Sequence, residues 1–121
     1  MTDNKPYPTI KANHDFSLTY RKGKIVRSES LILHFRQRKD LGPPRVGYTV
    51  SRKVKSAVKR NRLKRLLREA MRLTELQIRP GLDLILVAKL KPVAPDFHSL
   101  CQELNDMIVR AGLAVKEEES D

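Results

Sequence analysis

Hydrophobic residues recur along this chain with two different periods, and the period of each segment predicts a strand or a helix. Apolar residues alternate with polar ones, or form a short continuous run, in the segments that we expect to be strands: residues 24–28, 30–37, 45–51 and 82–90. They recur at every third or fourth position in the segments that we expect to be helices: residues 13–22, 55–76 and 96–111. Gly42, Pro43 and Pro44 favour a loop between the second and third strands.

Small and polar residues at the segment boundaries predict how the helices begin and end. Asn13 or Asp15 can serve as the N-terminal cap or the first-turn acid of the first helix. Gly23 can take the left-handed conformation that ends the same helix. We expect Pro80 and Gly81 to end the second helix and Gly112 to end the third.

The pattern predicts one folded domain with a short segment on either side. A chain of 121 residues, 40% of them hydrophobic, can form a single core without disulfides or metals. Pro6 and Pro8 among scattered polar residues predict a flexible N-terminal segment over 1–12. We expect the domain to cover 13–112 and an acidic, disordered tail to cover 113–121.

The second helical segment carries most of the positive charge of the chain. From Ser51 to Arg72 there are ten Lys or Arg residues against the single acid Glu69, which contributes +9 of the formal net charge of +11. On a helical wheel one arc is apolar, and it holds Leu63, Leu66, Leu67, Ala70 and Leu73. The wider arc is cationic. Because like charges on one arc repel one another, this helix requires a polyanion as its partner.

The overall charge points to nucleic acid as that polyanion. A net charge of +11 and a pI of 10.2 favour nucleic acid first and an anionic membrane surface second. A solvated basic face without a partner is the ordinary interpretation of a charge run. The density of Arg and the scarcity of interleaved acids argue against that interpretation here.

A second candidate surface combines aromatic rings with small polar side chains. Phe16 and Tyr20 are four residues apart and share one face of the first helix. Either both rings pack in the core, or at least one lines a groove and stacks on unpaired bases. One face of the third strand carries only small residues, namely Gly47, Thr49 and Ser51. Beside Ile32 and His34 of the second strand, this face leaves room for a ligand.

Cys101 is the single cysteine, so the sequence contains neither an internal disulfide nor a cysteine zinc site. Its place in the apolar pattern of the third helix predicts a small buried hydrophobe. The sequence shows no signal peptide and no apolar run of membrane-spanning length, and we therefore expect a cytoplasmic protein.

Three sequence motifs occur in a characteristic order. They are NHDF at 13–16 with an aromatic residue four positions after its Phe, RVGYTVSRKVKSAVKRNR at 45–62, and DLILVAK at 83–89. Together they resemble the protein subunit of bacterial ribonuclease P, in which an Arg-Asn-Arg triplet opens a long helix. The triplet here is Arg60-Asn61-Arg62, and the resemblance covers roughly residues 10–112.

The resemblance implies an α+β fold in which three helices and a single four-stranded central sheet follow the order αβββαβα. This is the ribosomal protein S5 domain 2-like fold. It implies a left-handed crossover from strand through long helix to strand, although such units are right-handed as a rule. Residues 13–112 would then form one RNA-binding domain.

The resemblance also implies a function. The protein would bind the catalytic RNA subunit and the 5′ leader of precursor tRNA, and would assist endonucleolytic removal of that leader. The RNA would carry out this magnesium-dependent hydrolysis and hold most of the Mg²⁺, and the protein alone would be inactive. Neither a membrane nor an obligate protein partner is expected.

The resemblance assigns two sets of binding residues by position. The set expected to bind the RNA subunit is Arg52, Lys59, Arg60, Asn61, Arg62, Lys64, Arg65, Arg68 and Arg72. The set expected to bind the precursor tRNA leader is Phe16, Tyr20, Ile32, His34, Thr49, Ser51 and Lys53. Tyr20 stands where family members often have Phe, and His34 where an aromatic ring is common. No catalytic residue and no metal ligand is expected in the protein.

Two other functions fit parts of the sequence. A nuclease in its own right could use His14, His34 or His98 as acid and base, with Asp15 orienting one of them. The histidines lie on different predicted elements, and no carboxylate cluster is present to hold magnesium. A ribosomal or architectural RNA-binding protein would use the basic helix but would not need an aromatic-lined cleft.

Overall fold

The structure, a computed structural model, describes residues 7–93 and 95–115 of the chain. The helices are α1 (Asn13–Lys22), α2 (Ala57–Leu73) and α3 (Phe97–Ala111). The strands are β1 (Lys24–Arg27), β2 (Leu31–Gln37), β3 (Arg45–Val50) and β4 (Leu82–Ala88). This αβββαβα order confirms the predicted α+β fold. In the described part of the chain, no helix is long and apolar enough to cross a membrane.

The four strands form one mixed sheet in the order β1-β2-β4-β3. β2 pairs antiparallel with β1 and with β4, whereas β3 runs parallel to β4. The chain passes from β3 to β4 through α2, which is the crossover that the resemblance implies. Six of the seven residues of β4 are buried, because this strand lies between two neighbours and is covered on both faces.

The hydrophobic core lies between one face of the sheet and the helices α2 and α3. α2 contributes Leu67, Ala70 and Met71, each 1% exposed. Leu73, which the helical wheel assigns to the apolar arc, is 47% exposed. It is the last residue of α2, and the buried side of the helix is rotated toward Met71.

α2 is shorter at its C-terminal end than predicted. Its N-cap is Ser56, whose side chain accepts a hydrogen bond from the Lys59 amide at 3.2 Å. It ends at Leu73, since Thr74 adopts an extended conformation and its hydroxyl donates to Asn105 Oδ1 of α3 at 2.6 Å. Contact with α3, rather than the Pro-Gly pair that follows at 80–81, therefore ends the helix.

The ends of α1 also differ from the prediction. The N-cap is Ala12, which has no capping side chain, and Asp15 is the acid of the first turn. Gly23 is extended, with φ −83°, rather than left-handed. A side chain there would collide with the carbonyl oxygens of Thr19 and Phe35, so the tight approach of α1 to β2 requires glycine. Gly112, with φ 72°, ends α3 in the left-handed conformation as predicted.

The packed domain begins earlier in the chain than predicted. Thr9 forms a parallel bridge with Val46 at the outer edge of β3, and Ile10 is 5% exposed. Residues 7–12 therefore belong to the domain rather than to the flexible segment predicted there. The rest of that segment, 1–6, lies outside the described residues.

The domain also continues past its predicted C-terminal boundary. Leu113 is fully buried, and Ala114 forms an antiparallel bridge with Ile78. These contacts place 113–115 in the domain rather than in the predicted tail. The acidic residues 116–121 lie outside the described residues.

Candidate nucleic-acid interface

The face of the sheet opposite the core is only partly covered, and side chains of β2, β4 and β3 remain accessible on it. The strand register places Ile32 of β2 beside Val87 of β4, and Val87 beside Thr49 of β3. All three side chains are partly exposed although they lie inside the sheet. We call this partly exposed surface, with the rings that α1 adds to it, the cleft. Its predicted members are Phe16, Tyr20, Ile32, His34, Thr49, Ser51 and Lys53.

Phe16 packs directly on the sheet at one end of the cleft. A Cβ atom added to Gly47 would lie 2.8 Å from two atoms of the Phe16 ring, Cε1 and Cζ. Glycine in β3 is therefore what allows this ring to lie flush with the strand. Phe16 is partly buried, so it packs on the sheet and still keeps part of its surface accessible to solvent.

Tyr20 lies one helical turn further along α1, over β2. It is 43% exposed, and its ring meets the His34 ring edge-on with a centroid separation of 4.6 Å and an interplanar angle of 72°. The sequence left open whether Tyr20 packs in the core or lines a binding surface, and its exposure shows that it is not a core residue. It stands at the surface, where part of its side chain is accessible to solvent.

His34 presents an imidazole that is kept neutral. Burial lowers its pKa below the ordinary value of 6.5, and the nearby positive charge of Arg27 lowers it further. Its Nδ1 atom is buried without a hydrogen-bond partner among the described residues. A neutral ring of this kind can stack on a base without attracting phosphate.

The loop between β3 and α2 borders the cleft and is held by an arginine of α2. Arg60 Nη1 donates to the carbonyl oxygens of Ser51 at 2.8 Å and Val54 at 3.1 Å. Its Nη2 donates to the carbonyl of Val50 at 3.2 Å. The first arginine of the triplet therefore fixes the backbone of the loop that carries Lys53.

The outer side of α2 forms a broad cationic face. Most of its predicted members have exposed side chains, whereas Arg60, Lys64 and Arg72 are partly buried. We define this face as Lys59, Asn61, Arg62, Lys64, Arg65, Arg68 and Arg72. Because α2 packs on the core side of the sheet, the cationic face and the cleft lie on opposite sides of it and approach each other at the β3–α2 loop.

Arg52, predicted to bind the RNA subunit with the residues of α2, lies in the loop between β3 and α2 with its side chain exposed. Burial raises the pKa of Tyr20, and the positive charge of Arg52 acts on the same hydroxyl in the opposite direction. Arg52 therefore belongs to the loop between the two surfaces rather than to α2.

A buried ion network that the sequence analysis missed fixes α1 to the sheet. Asp83 of β4 is fully buried and lies 2.8 Å from both Arg38 and Arg45 and 3.1 Å from Arg36. Asp15 of α1 reaches the same cluster, at 3.5 Å from Arg36 and 3.4 Å from Arg45. These ion pairs tie the helix that carries Phe16 and Tyr20 to the floor of the cleft.

The charge of Asp83 is maintained by its partners. Burial by itself would raise the pKa of its carboxyl group, but hydrogen bonds from Arg45 and Arg38 outweigh burial and lower it. The sequence contains one signal of this network. Asp83 is a lone acid within an otherwise apolar strand, and such a residue requires cationic partners nearby.

The described residues offer no metal centre of their own. Within 7–93 and 95–115, no three His, Cys, Asp or Glu side chains are grouped where they could hold a metal ion. His14, His34 and His98 lie on α1, β2 and α3 respectively.

Comparison with known proteins places this geometry in a family. The family model described as Ribonuclease P matches residues 5–112. The chain belongs to the ribonuclease P protein family. Ribonuclease P is an endoribonuclease made of RNA and protein, and members of the family are its protein subunit in tRNA 5′ processing. Family membership therefore implies a ribonuclease P RNA as partner.

Individual ribonuclease P proteins resemble the chain over most of its length. It is 38% identical to the ribonuclease P protein component of Thermoanaerobacter sp. (strain X514) over 104 residues, which cover 86% of this chain and 89% of the relative. It is 36% identical to that of Pelotomaculum thermopropionicum over 107 residues, which cover 88% and 90%.

Solved structures of ribonuclease P proteins share the fold. The Staphylococcus aureus protein has a TM-score of 0.76 and 28% identity, with 92% of this chain and 100% of that chain covered. The Thermotoga maritima protein has a TM-score of 0.72 and 26% identity, with 90% and 98% covered. The architecture described above is thus that of ribonuclease P proteins.

Proposed function

We propose that this chain binds two RNA molecules at once, the catalytic RNA of ribonuclease P and the 5′ leader of precursor tRNA. The observation that carries the proposal is the position of the cationic face and the cleft on opposite sides of one sheet. A single rigid domain can therefore hold the catalytic RNA on α2 while the leader lies across β2, β4 and β3.

The cationic face supplies the affinity for the catalytic RNA. Guanidinium groups remain charged at any physiological pH and fork onto phosphate oxygens. Each phosphate that they neutralise releases counterions, so the affinity falls steeply as salt is added. This contact depends on the shape and charge of the RNA more than on its sequence.

The cleft suits a flexible single strand. The exposed Tyr20 ring, the partly buried Phe16 ring and the neutral His34 imidazole offer surfaces on which unpaired bases can stack. Lys53 and Arg52, both exposed in the loop after β3, can contact the phosphates between those bases. Any base can stack on an aromatic ring. This surface therefore distinguishes tRNA that carries a leader from tRNA that lacks one, and it does not distinguish one leader sequence from another.

Arg60 has a different role in this proposal from the one that the resemblance assigns to it. Its guanidinium donates to three backbone carbonyls, and it is only partly exposed. We therefore assign Arg60 to positioning the loop that carries Arg52 and Lys53, and we leave phosphate contact to the exposed Arg62 of the same triplet.

The RNA, rather than this protein, would perform the hydrolysis. The described residues offer no acid cluster that fits Mg²⁺, so the ions required for phosphodiester cleavage would be held chiefly by the RNA. The protein would contribute by fixing the leader relative to the catalytic RNA and by lowering charge repulsion between the two. A cytoplasmic location stays a prediction.

Reconstitution with a bacterial ribonuclease P RNA tests the proposal. At low Mg²⁺ concentration, adding the protein should restore 5′ leader removal that the RNA alone performs poorly. The protein without RNA should leave precursor tRNA intact. Cleavage of precursor tRNA by the protein alone, or no effect of the protein on the RNA-catalysed reaction, would contradict the proposal.

A further inference from the structure

A pocket of about 390 Å³ lies at the outer edge of β3, between α2 and residues 7–9. Its volume falls within the roughly 300–1,000 Å³ typical of small-ligand sites. We call it the tyrosine pocket, and its principal lining residues are Tyr7, Thr9, Tyr48, Arg65, Arg68 and Arg72. Tyr48 is on the core side of β3, whereas the neighbouring Thr49 faces the cleft, so the two sites are separate.

The N-terminal wall of the tyrosine pocket is fixed by the sheet. The amide of Val46 donates to the carbonyl of Pro8 at 2.9 Å, and Thr9 forms the bridge with the same residue. The Tyr7 hydroxyl accepts a hydrogen bond from the Ile78 amide at 3.3 Å. The ring of Tyr7 is therefore held in place before any ligand arrives, which lowers the entropy cost of binding.

The helical wall of the tyrosine pocket belongs to the cationic face. Arg65, Arg68 and Arg72 follow one another at spacings of three and four, so they form one stripe along α2. The Arg68 guanidinium lies 5.6 Å from the centroid of the Tyr48 ring. Glu69, the acid that also lines the pocket, forms an ion pair with Arg72.

Two tyrosine rings beside a stripe of guanidinium groups match the chemistry of a nucleotide. A base can stack on an aromatic ring or on a guanidinium plane, and its phosphate can pair with an arginine fork. Burial raises the pKa of Tyr48 to about 12, so its hydroxyl stays neutral and does not repel phosphate. A paired base cannot enter, because both of its faces are occupied within the helix.

We propose that the tyrosine pocket receives one unpaired nucleotide of the catalytic RNA, with its base against Tyr7 and its phosphate on Arg65. The inference rests on the proposed function, because the cationic face must dock on that RNA for the pocket to be reached. The tyrosine pocket would add one specific contact to the cationic face, which otherwise recognises only the charge and shape of the RNA.

Substitution of Tyr7 separates stacking from folding. Tyr7→Leu removes the ring but keeps apolar bulk, and we expect it to weaken binding to a bacterial ribonuclease P RNA about 10-fold, as loss of one stacked base does. Tyr7→Phe keeps the ring but loses the hydrogen bond from the Ile78 amide, so it should weaken RNA binding clearly less than Tyr7→Leu does. Urea unfolding of both variants identifies any loss of fold. Equal losses of affinity in both would overturn the inference.

A photo-crosslinking residue in place of the exposed Thr9 provides a second measurement in the assembled complex. It should react with a single unpaired nucleotide of the RNA. Removal of that base should abolish the difference in RNA affinity between Tyr7→Leu and the original protein. Crosslinks confined to base-paired RNA, or none, would overturn the inference even if Tyr7→Leu did not fold.

Arg62→Ala distinguishes failure of this inference from failure of the proposed function. Arg62 belongs to the cationic face but does not line the tyrosine pocket. If Arg62→Ala weakens RNA binding while Tyr7→Leu does not, the pocket is not a nucleotide site and the cationic face still docks on RNA. If neither substitution weakens binding, α2 is not the RNA-binding surface.

Discussion

Replacing the two arginines of the Arg60-Asn61-Arg62 triplet one at a time should have different consequences. Arg60 donates to the carbonyls of Val50, Ser51 and Val54, whereas Arg62 is exposed on the cationic face. Arg60→Ala should therefore destabilise the free protein and loosen the β3–α2 loop. Arg62→Ala should leave the fold unchanged and remove one phosphate contact.

The size of the Arg60 effect follows from its three hydrogen bonds. A hydrogen bond to a charged group contributes about 1.5–3 kcal/mol when buried. Arg60 is partly exposed, so water replaces part of what the carbonyls lose, and we expect Arg60→Ala to lower the free energy of unfolding by about 2 kcal/mol in total. Substitution of the exposed Arg62 should change it by less than about 0.5 kcal/mol.

Two measurements on the same pair of variants check this reasoning. In urea, Arg60→Ala should shift the unfolding midpoint down by about 1 M, for a denaturant slope of about 2 kcal/mol/M. In RNA binding, a plot of log affinity against log salt concentration should become less steep by about one unit for Arg62→Ala and should keep its slope for Arg60→Ala. Arg62→Ala is thus the matched control in the unfolding measurement, and Arg60→Ala is the matched control in the measurement of salt dependence.

The opposite pattern would refute the assignment of Arg60. If Arg60→Ala unfolds at the same urea concentration as the original protein and loses one unit of salt slope, its guanidinium binds phosphate rather than the loop carbonyls. A third variant sharpens the result. Arg60→Lys keeps the charge but lacks the fork that spans three carbonyls, so it should restore little of the lost stability.

Substitutions at three further sites have expected outcomes. Asp83→Asn should lower the free energy of unfolding by about 3 kcal/mol, because it removes the buried counter-charge that three partly buried arginines share and leaves them only Asp15 and Asp40. Urea unfolding will measure this loss. The folded-state pKa of Asp83 is lowered, so its contribution to stability is fully present above its ordinary pKa of 3.8 and is lost as pH falls from there through the lowered folded-state pKa. Stability measured in an acid titration should therefore decline less for the Asn variant. Gly47→Ala should displace the Phe16 ring, at a cost of about 1–3 kcal/mol, and should weaken precursor tRNA binding while sparing affinity for the catalytic RNA. Because the pKa of His34 is lowered, precursor affinity should increase only as pH falls below 6.5, where a charged ring attracts phosphate, and a His34→Phe variant should lack that dependence.

The members of the cleft could be predicted because strand periodicity is rigid. Side chains alternate strictly between the two faces of a sheet, so Ile32, His34 and Thr49 had to share a face once their strands were located. Phe16 and Tyr20 share one face of a short helix for the same kind of reason. The structure places these residues together, as the spacing predicted.

Element ends were less predictable because contacts distant in sequence decide them. α2 ends at Leu73 where Thr74 bonds to Asn105 of α3, and no local signal at residues 73–76 marks that point. A glycine after a helix predicts a left-handed cap, yet position 23 requires glycine because β2 passes close behind it. Likewise, the packing of 7–12 depends on an edge of β3 that only the assembled sheet creates.

The roles of individual charged residues were the least predictable feature. Arg60 lies at the border between the apolar and cationic arcs of α2, where a helical wheel cannot decide between an inward and an outward direction. Its carbonyl partners belong to a loop whose path depends on β3. Asp83 signals a need for cations, but its three arginine partners come from β2, β3 and the loop between them.

The two-surface account is tested most directly by comparing precursor with mature tRNA. In a complex reconstituted with the catalytic RNA, the original protein should increase affinity for precursor tRNA over mature tRNA. Phe16→Ala should reduce that preference and leave binding to the catalytic RNA within about 2-fold, whereas Arg62→Ala should weaken binding to the catalytic RNA and, once the complex is saturated, keep the preference. Equal affinity of the original complex for both tRNAs would contradict the account.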